Sequence, residues 1–230
     1  MEKTHTDSAY ERELHDLRET LLRMAGLCEE MIADAIRSIV ERNSELARET
    51  IERDFEVNRA EVQVDELVFL VLAKRQPVAK DLRFTTQAIK MANDLERIGD
   101  LAVNICERAL LLNLEPQLKP YQDIPKMADI VMSMVRESID AFVKEDADLA
   151  EQIMERDDEV DDLYHVIIRD LLAIMLKNPD AVERGIHIQS IAKFLERMAD
   201  HSTNLCEQVV FLVKGKDVRQ IDGLEKVRKG

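Results

Sequence analysis

Two stretches of the chain, 100 residues apart, carry the same polar residues at the same spacing, and these residues could bind a metal ion. Residues 95–107 read LERIGDLAVNICE, and residues 195–207 read LERMADHSTNLCE. In each copy a glutamate and an aspartate stand four residues apart, which places both carboxylates on one face of a helix. The four residues are Glu96, Asp100, Glu196 and Asp200. Like charges at this spacing repel, so their repetition in register indicates a use for the carboxylates.

A second set of acidic residues precedes each of these stretches. In the first half Asp54, Asn58, Glu61 and Asp65 follow a 4, 3, 4 spacing, which forms one continuous stripe along a helix. In the second half Asp157 and Asp161 repeat the first pair, but Tyr164 and Ile168 replace the rest. If antiparallel helices bring the pairs together, their oxygen ligands would form a cradle for Mg²⁺, Mn²⁺ or iron.

The alternative interpretation is an ordinary solvated helix face. Charged residues make up 34% of the chain, so some acidic pairs arise by chance, and Glu96 and Asp100 could simply pair with nearby cations. The repetition across a duplication favours the metal-site interpretation. Asn104 and Asn204 could be further oxygen ligands or helix–helix hydrogen-bond donors. His165 and His201 are not repeated, and we interpret both as incidental.

Long helices must position these groups. Aromatic residues make up only 4% of the chain, and there are 6 glycines and 5 prolines, a composition that favours helix over sheet. Apolar residues at helical spacing, together with capping residues and Pro breaks, predict six helices. Their expected ranges are 7–43, 45–74, 77–114, 125–144, 148–177 and 179–214.

The duplication extends beyond the opening motif. Residues 52–54 and 155–157 both read ERD, at an offset of 103, and the offset falls to 100 across the following turn. We therefore predict an all-α fold of two tandem three-helix bundles related by internal duplication. The expected units are 1–115 and 126–214, joined by a linker at 116–125 that contains three prolines. Residues 215–230 are predicted to form a loose C-terminal tail.

Charge and composition exclude several classes of function. The net charge of -15 repels phosphate backbones, so we expect no nucleic-acid binding. No apolar run approaches 18 residues and the polar N-terminus shows no signal peptide, so we expect a cytoplasmic protein without membrane insertion. The three cysteines lack CxxC spacing and are expected to be reduced and buried. Phosphate-binding loops, GxSxG and HExxH are missing from the sequence, so we expect no enzyme activity.

At these residues the chain resembles the PhoU family of bacterial phosphate-uptake regulators. The resemblance covers residues 11–214 and includes RQPVAKDLR at 75–83, ERIGD at 96–100 and ERMAD at 196–200. It implies two three-helix bundles whose acidic motifs hold multinuclear metal clusters, with iron as the expected metal and manganese, zinc or magnesium as alternatives. The implied ligands are Glu96, Asp100, Asp54, Glu196, Asp200, Asp157 and Asp161. Asn58 departs from the family's acidic pattern, which implies unequal sites.

The resemblance also implies a regulatory role. Such proteins restrain phosphate uptake and phosphate-starvation signalling, as adaptors between the cytoplasmic subunits of the phosphate ABC transporter and a sensor histidine kinase. A homodimer is expected as well. Three alternatives are a metal-dependent helical enzyme, a metal-storage bundle and a metal-free helical scaffold.

Overall fold

Seven α-helices and one 3-10 helix form the described part of the computed structural model, which covers residues 5–119 and 121–215. The helices are α1 (His5–Val40), α2 (Ser44–Arg75), α3 (Ala79–Leu112), α4 (Asp123–Lys144), α5 (Ala147–Met154), α6 (Asp157–Lys177), the 3-10 helix Pro179–Ala181 and α7 (Val182–Lys214). Within these residues there is no β-strand. The prediction of an all-α fold with two three-helix units is confirmed.

The first unit consists of α1, α2 and α3, each of which packs against the other two. A short turn joins α1 to α2, and Asn43 begins α2 because its Oδ1 accepts hydrogen bonds from the backbone N–H groups of Glu45 and Leu46, both at 3.1 Å. Such a cap satisfies donors that the first helical turn leaves free. The helices bury an aliphatic core of Leu, Ile, Val, Ala and Met side chains.

The second unit consists of α4 to α7, and here one expected helix is divided in two. The prediction of a continuous helix over 148–177 is wrong, because α5 ends at Met154 and α6 begins at Asp157. At the break the hydrogen bonds tighten to three-residue spacing: Arg156 N donates to Ile153 O at 3.0 Å, and Glu159 N donates to Arg156 O at 3.1 Å. Three consecutive acidic residues, 157–159, follow the break, where a helix N-terminus favours negative charge.

The two units share one core. Helix α3 packs against α7 and α1 packs against α4. The Phe84 and Phe142 rings, from α3 and α4, stack with centroids 5.0 Å apart. The buried apolar residues of both units belong to a single continuous cluster. The duplicated units are therefore joined by packing as well as by the chain.

The helix ends differ from the expected ranges by a few residues. Helix α1 begins at His5, α3 begins at Ala79, and α4 begins at Asp123 with Pro125 in its first turn, where proline is tolerated. Gly215 ends α7 in the left-handed conformation with φ 66°, and its N–H donates to Phe211 O at 2.9 Å. Residues 216–230 of the predicted loose tail lie outside the described residues.

Over residues 5–119 and 121–215, no helix combines the length and the apolar content required to cross a bilayer.

Candidate metal centres

The first acidic cluster lies where α2 and α3 approach each other closely. Gly99 on α3 permits this approach, since a Cβ atom there would lie 3.3 Å from Asp54 Oδ1 and 3.4 Å from Val57 Cγ1. Asp54 Oδ1 is buried and has no hydrogen-bond partner, while Asp54 Oδ2 accepts a hydrogen bond from Asn58 Nδ2 at 2.7 Å. The contact thus leaves one carboxylate oxygen without a donor inside the helix pair.

The electrostatics show that carboxylates from both helices belong to this cluster. Burial raises the pKa of Asp54, and the charge of Asp100 adds to that rise. The hydrogen bond from Asn58 offsets part of it. Burial also raises the pKa of Glu96, and the charges of Asp100, Glu61 and Asp54 add to that effect. The pKa of Glu61 is likewise raised by burial and then by Asp65 and Asp100. These side chains therefore repel one another when ionised.

The second cluster is formed by α6 and α7. Burial raises the pKa of Asp157 to about 6, and the charges of Asp200, Asp161, Glu196 and Asp158 contribute to the rise. Burial raises the pKa of Asp200 as well, and the charge of Glu196 raises it further. Glu196 Oε2 is buried without a hydrogen-bond partner. Each cluster thus contains one buried carboxylate oxygen that no donor satisfies.

Basic side chains offset part of this charge. Arg97 lies 3.2 Å from Asp100 and 3.5 Å from Glu96, measured between the nearest N and O atoms. Lys193 Nζ donates to Glu196 Oε1 at 2.5 Å. Arg97 and Lys193 are both largely exposed at the rim of their cluster. They neutralise the acidic groups from the solvent side.

The placement and the chemistry of the carboxylates decide whether they can hold a metal ion. In the described part of the chain, no three His, Cys, Asp or Glu side chains stand where they could share one metal ion as they are placed. The clusters still offer the oxygen donors that hard cations prefer, with excess negative charge and an unsatisfied buried oxygen in each. These residues fit a cation if the carboxylates turn away from Arg97, Lys193 and Asn58.

The structure brings the seven candidate ligands into two groups. Asp54, Glu96 and Asp100 lie together between α2 and α3, and Asp157, Asp161, Glu196 and Asp200 lie together between α6 and α7. Glu61 joins the first group, although the implied ligand set omitted it. Metal binding by these residues stays a prediction.

An ion pair between helices is repeated in the two units, beyond the motifs that the sequence pattern singles out. Arg53 Nη1 lies 3.0 Å from Asp34 Oδ2, and Arg156 Nη1 lies 3.2 Å from Glu137 Oε1. Both residues of the second pair lie 103 positions after those of the first, so extending the repeat alignment to 34 and 137 would have found them. The first ion pair ties α1 to α2, and the second ties α4 to the break between α5 and α6, each beside an acidic cluster.

Asp94 forms a polar network between the two units. Its carboxylate lies 2.9 Å from His201 Nδ1 and accepts hydrogen bonds from Asn204 Nδ2 at 3.3 Å and Gln208 Nε2 at 2.7 Å. His201 therefore has a structural role at the contact between α3 and α7, and Asn204 is a helix–helix donor. The same residues line a cleft of about 470 Å³ between α3 and α7.

Comparison with known proteins gives a consistent result across sequence and structure. The family model described as the PhoU domain matches residues 21–109 and 124–209, once in each unit. A phosphate-specific transport system accessory protein PhoU homolog from Pseudomonas aeruginosa is 38% identical over 226 residues, covering 98% of this chain and 93% of that protein. A homolog of the same name from Aquifex aeolicus is 39% identical over 208 residues, covering 90% and 94%.

Two solved structures have the same fold. The crystal structure of PhoU from Pseudomonas aeruginosa matches with a TM-score of 0.86 and 38% identity, covering 90% of this chain and 100% of that one. The crystal structure of the phosphate transport system regulatory protein PhoU from Streptococcus pneumoniae matches with a TM-score of 0.81 and 28% identity, covering 91% and 99%. The similarity thus extends over both units.

Proposed function

The chain belongs to the PhoU family, and we propose that it is an accessory protein of a phosphate-specific transport system that restrains phosphate uptake. The observation that carries this proposal is the match of the PhoU domain model to both units. The relatives from Pseudomonas aeruginosa and Aquifex aeolicus, which are matched over 93% and 94% of their lengths, are both named as phosphate-specific transport system accessory proteins.

Deletion of the gene in its own host tests the regulatory role. We expect faster phosphate uptake and expression of phosphate-starvation genes even when phosphate is plentiful, because the restraint is lost. The measurements are uptake of radiolabelled phosphate and a reporter of a starvation promoter. A strain complemented with the wild-type gene is the control. Normal uptake and normal reporter expression in the deletion strain would refute the proposal.

The regulation is proposed to act through protein contacts in the cytoplasm rather than through catalysis. The net charge of -15 suits binding to basic surfaces on the cytoplasmic subunits of the phosphate ABC transporter and on a sensor histidine kinase. Such association is steered by exposed charges, which salt screens over about 8 Å at physiological ionic strength. Affinity for either partner is therefore expected to fall as salt concentration rises.

The two acidic clusters are proposed to hold metal ions. Asp54, Glu96 and Asp100 would supply the first set of ligands, and Asp157, Asp161, Glu196 and Asp200 would supply the second. A bound divalent or trivalent cation, iron first and manganese, zinc or magnesium as alternatives, would neutralise carboxylates that otherwise repel one another. Support comes from the raised pKa values and from the unsatisfied oxygens of Asp54 and Glu196.

The combined substitution Asp100→Asn and Asp200→Asn tests the metal sites. We expect loss of most of the bound metal with unchanged helical circular dichroism, since amides are weaker ligands than carboxylates. The measurement is elemental analysis after loading with iron or manganese. The matched control is Asp129→Asn with Asp162→Asn, which makes the same charge change at exposed positions outside both clusters. Equal metal content in the two double variants would show that the clusters are not metal sites.

We also propose that the protein acts as a homodimer. A dimer would present two copies of each acidic surface to its partners.

A further inference from the structure

Helix α2 presents a row of apolar side chains to solvent. Phe55, Val62 and Phe69 are 70%, 56% and 65% exposed, and none of them packs against the core. They are spaced seven residues apart, about two helical turns, so they lie along one line on the helix surface. Single exposed apolar residues are common, but an aligned row containing two phenylalanines indicates a contact surface.

The internal duplication shows that the fold does not require this row. At the offset of 103, the equivalent positions in the second unit are Asp158, His165 and Leu172. All three are exposed as well. Two of the three are polar, although α6 has the same place in the second unit that α2 has in the first. The apolar row is therefore a property of α2 itself and calls for a separate explanation.

Charged residues of opposite sign lie on the two sides of Val62. Between the apolar residues lie Arg59 and Glu66, which are both exposed and form no ion pair within the described part of the chain. Phe55 and Phe69 are equally distant from Val62. Val62 is thus the centre of the apolar row, with Arg59 three residues before it and Glu66 four residues after it.

We propose that α2 packs antiparallel against α2 of a second copy of this chain, with Val62 on the two-fold axis. This arrangement places Phe55 against Phe69 of the other copy, and Arg59 beside Glu66 of the other copy, twice in each dimer. In an isologous dimer of this kind, the same row of residues on each copy contacts the row on the other copy. The inference specifies the surface of the proposed homodimer and rests on that part of the proposed function.

Charge decides between the two directions in which the helices could run. In a parallel pair, Arg59 would face Arg59 and Glu66 would face Glu66, and like charges at a helix contact repel. In the antiparallel pair each arginine faces a glutamate. The antiparallel direction is therefore favoured, and it also matches the two-fold symmetry of a closed dimer.

The expected contact is small. Residues 52–73 span about 32 Å at 1.5 Å per residue, and a helix is about 10 Å wide. A stable interface needs about 800 Å² from each partner, which is more than one helix face of this size supplies. The dimer is therefore expected to be reversible and to dissociate on dilution.

A cysteine on the proposed axis gives a direct test. Val62→Cys places two thiols opposite each other, and facing helices 8–10 Å apart bring such residues within disulfide reach. The native Cys28, Cys106 and Cys206 are all buried and will not compete. Under mild oxidation we expect Val62→Cys to form a covalent dimer on a non-reducing gel. The matched control His165→Cys, at the equivalent position of the second unit, is expected to stay monomeric.

Charge reversal provides an independent test of the register. Arg59→Glu alone should weaken the dimer by about tenfold or more in analytical ultracentrifugation, because it places glutamates against Glu66. The combined Arg59→Glu and Glu66→Arg variant should restore association, since each pair then has opposite charges again. Recovery in the double variant would not be expected if α2 met an unrelated protein with its own charges.

The outcomes separate the surface from the dimer. A chain that is monomeric at every concentration, with no cross-linking of Val62→Cys, would overturn both the dimer and this surface. The apolar row of α2 would then be a contact surface for a different protein. A dimer that persists in Arg59→Glu, without cross-linking of Val62→Cys, would overturn this surface while the homodimer stands. Phosphate regulation by the deletion test is unaffected by either result.

Discussion

Gly99 is the residue that sets the distance between α2 and α3 at the first acidic cluster. An added Cβ would lie 3.3 Å from Asp54 Oδ1, which is closer than ordinary van der Waals contact. The equivalent residue in the second unit is Ala199, so the second pair of helices meets with a Cβ in place. The two clusters therefore differ in the residue at the helix contact as well as in their acidic side chains.

Substitution of Gly99 measures the cost of this close approach. Glycine within a helix is less stable than alanine by about 1 kcal/mol, so Gly26→Ala, in α1 with open space around it, should stabilise the fold by about that amount. Gly99→Ala should gain clearly less, because the new methyl group displaces Asp54 or Val57. Urea unfolding gives both free energies. An equal gain in the two variants would show that the contact carries no strain.

At the scale of the helices, the second helix of each unit begins in the same way. Asn43 caps α2, and Asp146, 103 residues later, caps α5 by accepting a hydrogen bond from Leu149 N at 3.0 Å. The helices that follow then diverge, since α2 is continuous and the second unit breaks at residues 155 and 156. The duplication preserves the helix start, and the break arises further along.

Loss of the cap on α2 should be measurable. Asn43→Ala leaves the N–H groups of Glu45 and Leu46 without their acceptor, and we expect the free energy of unfolding to fall by about 1 kcal/mol. Asn43→Asp is the conservative control and should be nearly neutral, because aspartate caps helices about as well as asparagine. Thermal or urea unfolding followed by circular dichroism provides the measurement. Equal loss in both variants would contradict a capping role.

At the scale of the whole molecule, Asp94 connects the two units across the α3–α7 contact. Its carboxylate is only 15% exposed and meets three donors from α7. The residue at the equivalent position of the second unit is Phe194, so this network has no counterpart in the duplication. Asymmetry of this kind lets two similar units pack in one defined arrangement.

Removal of Asp94 should weaken the whole fold. Asp94→Ala leaves His201, Asn204 and Gln208 without their acceptor, and we expect a loss of about 2 kcal/mol, the scale of a hydrogen bond to a charged group. Asp94→Asn keeps one acceptor oxygen and should lose less. Asp162→Ala, at an exposed position, should change the stability by less than about 0.5 kcal/mol. A neutral Asp94→Ala would show that packing alone joins the units.

Much of the fold and of the site could be predicted from local patterns. Helical periodicity, caps and prolines predict most helix ends to within a few residues, although they miss the break between α5 and α6. Repeated polar spacing identifies the duplication and the paired carboxylates. Glu96 and Asp100 must share a face because helix geometry alone puts them there. Their grouping with Asp54 followed from short connections, which make consecutive helices neighbours.

Other features depend on contacts between residues far apart in the chain. The pairing of Asp94 with His201, the tie between Arg156 and Glu137, and the shared core around Phe84 and Phe142 each join separate helices. Periodicity indicates which face of a helix is buried, but not which helix covers it. The packing of α3 on α7 was therefore decided only in the tertiary structure, where the shape and charge of both surfaces must match at once.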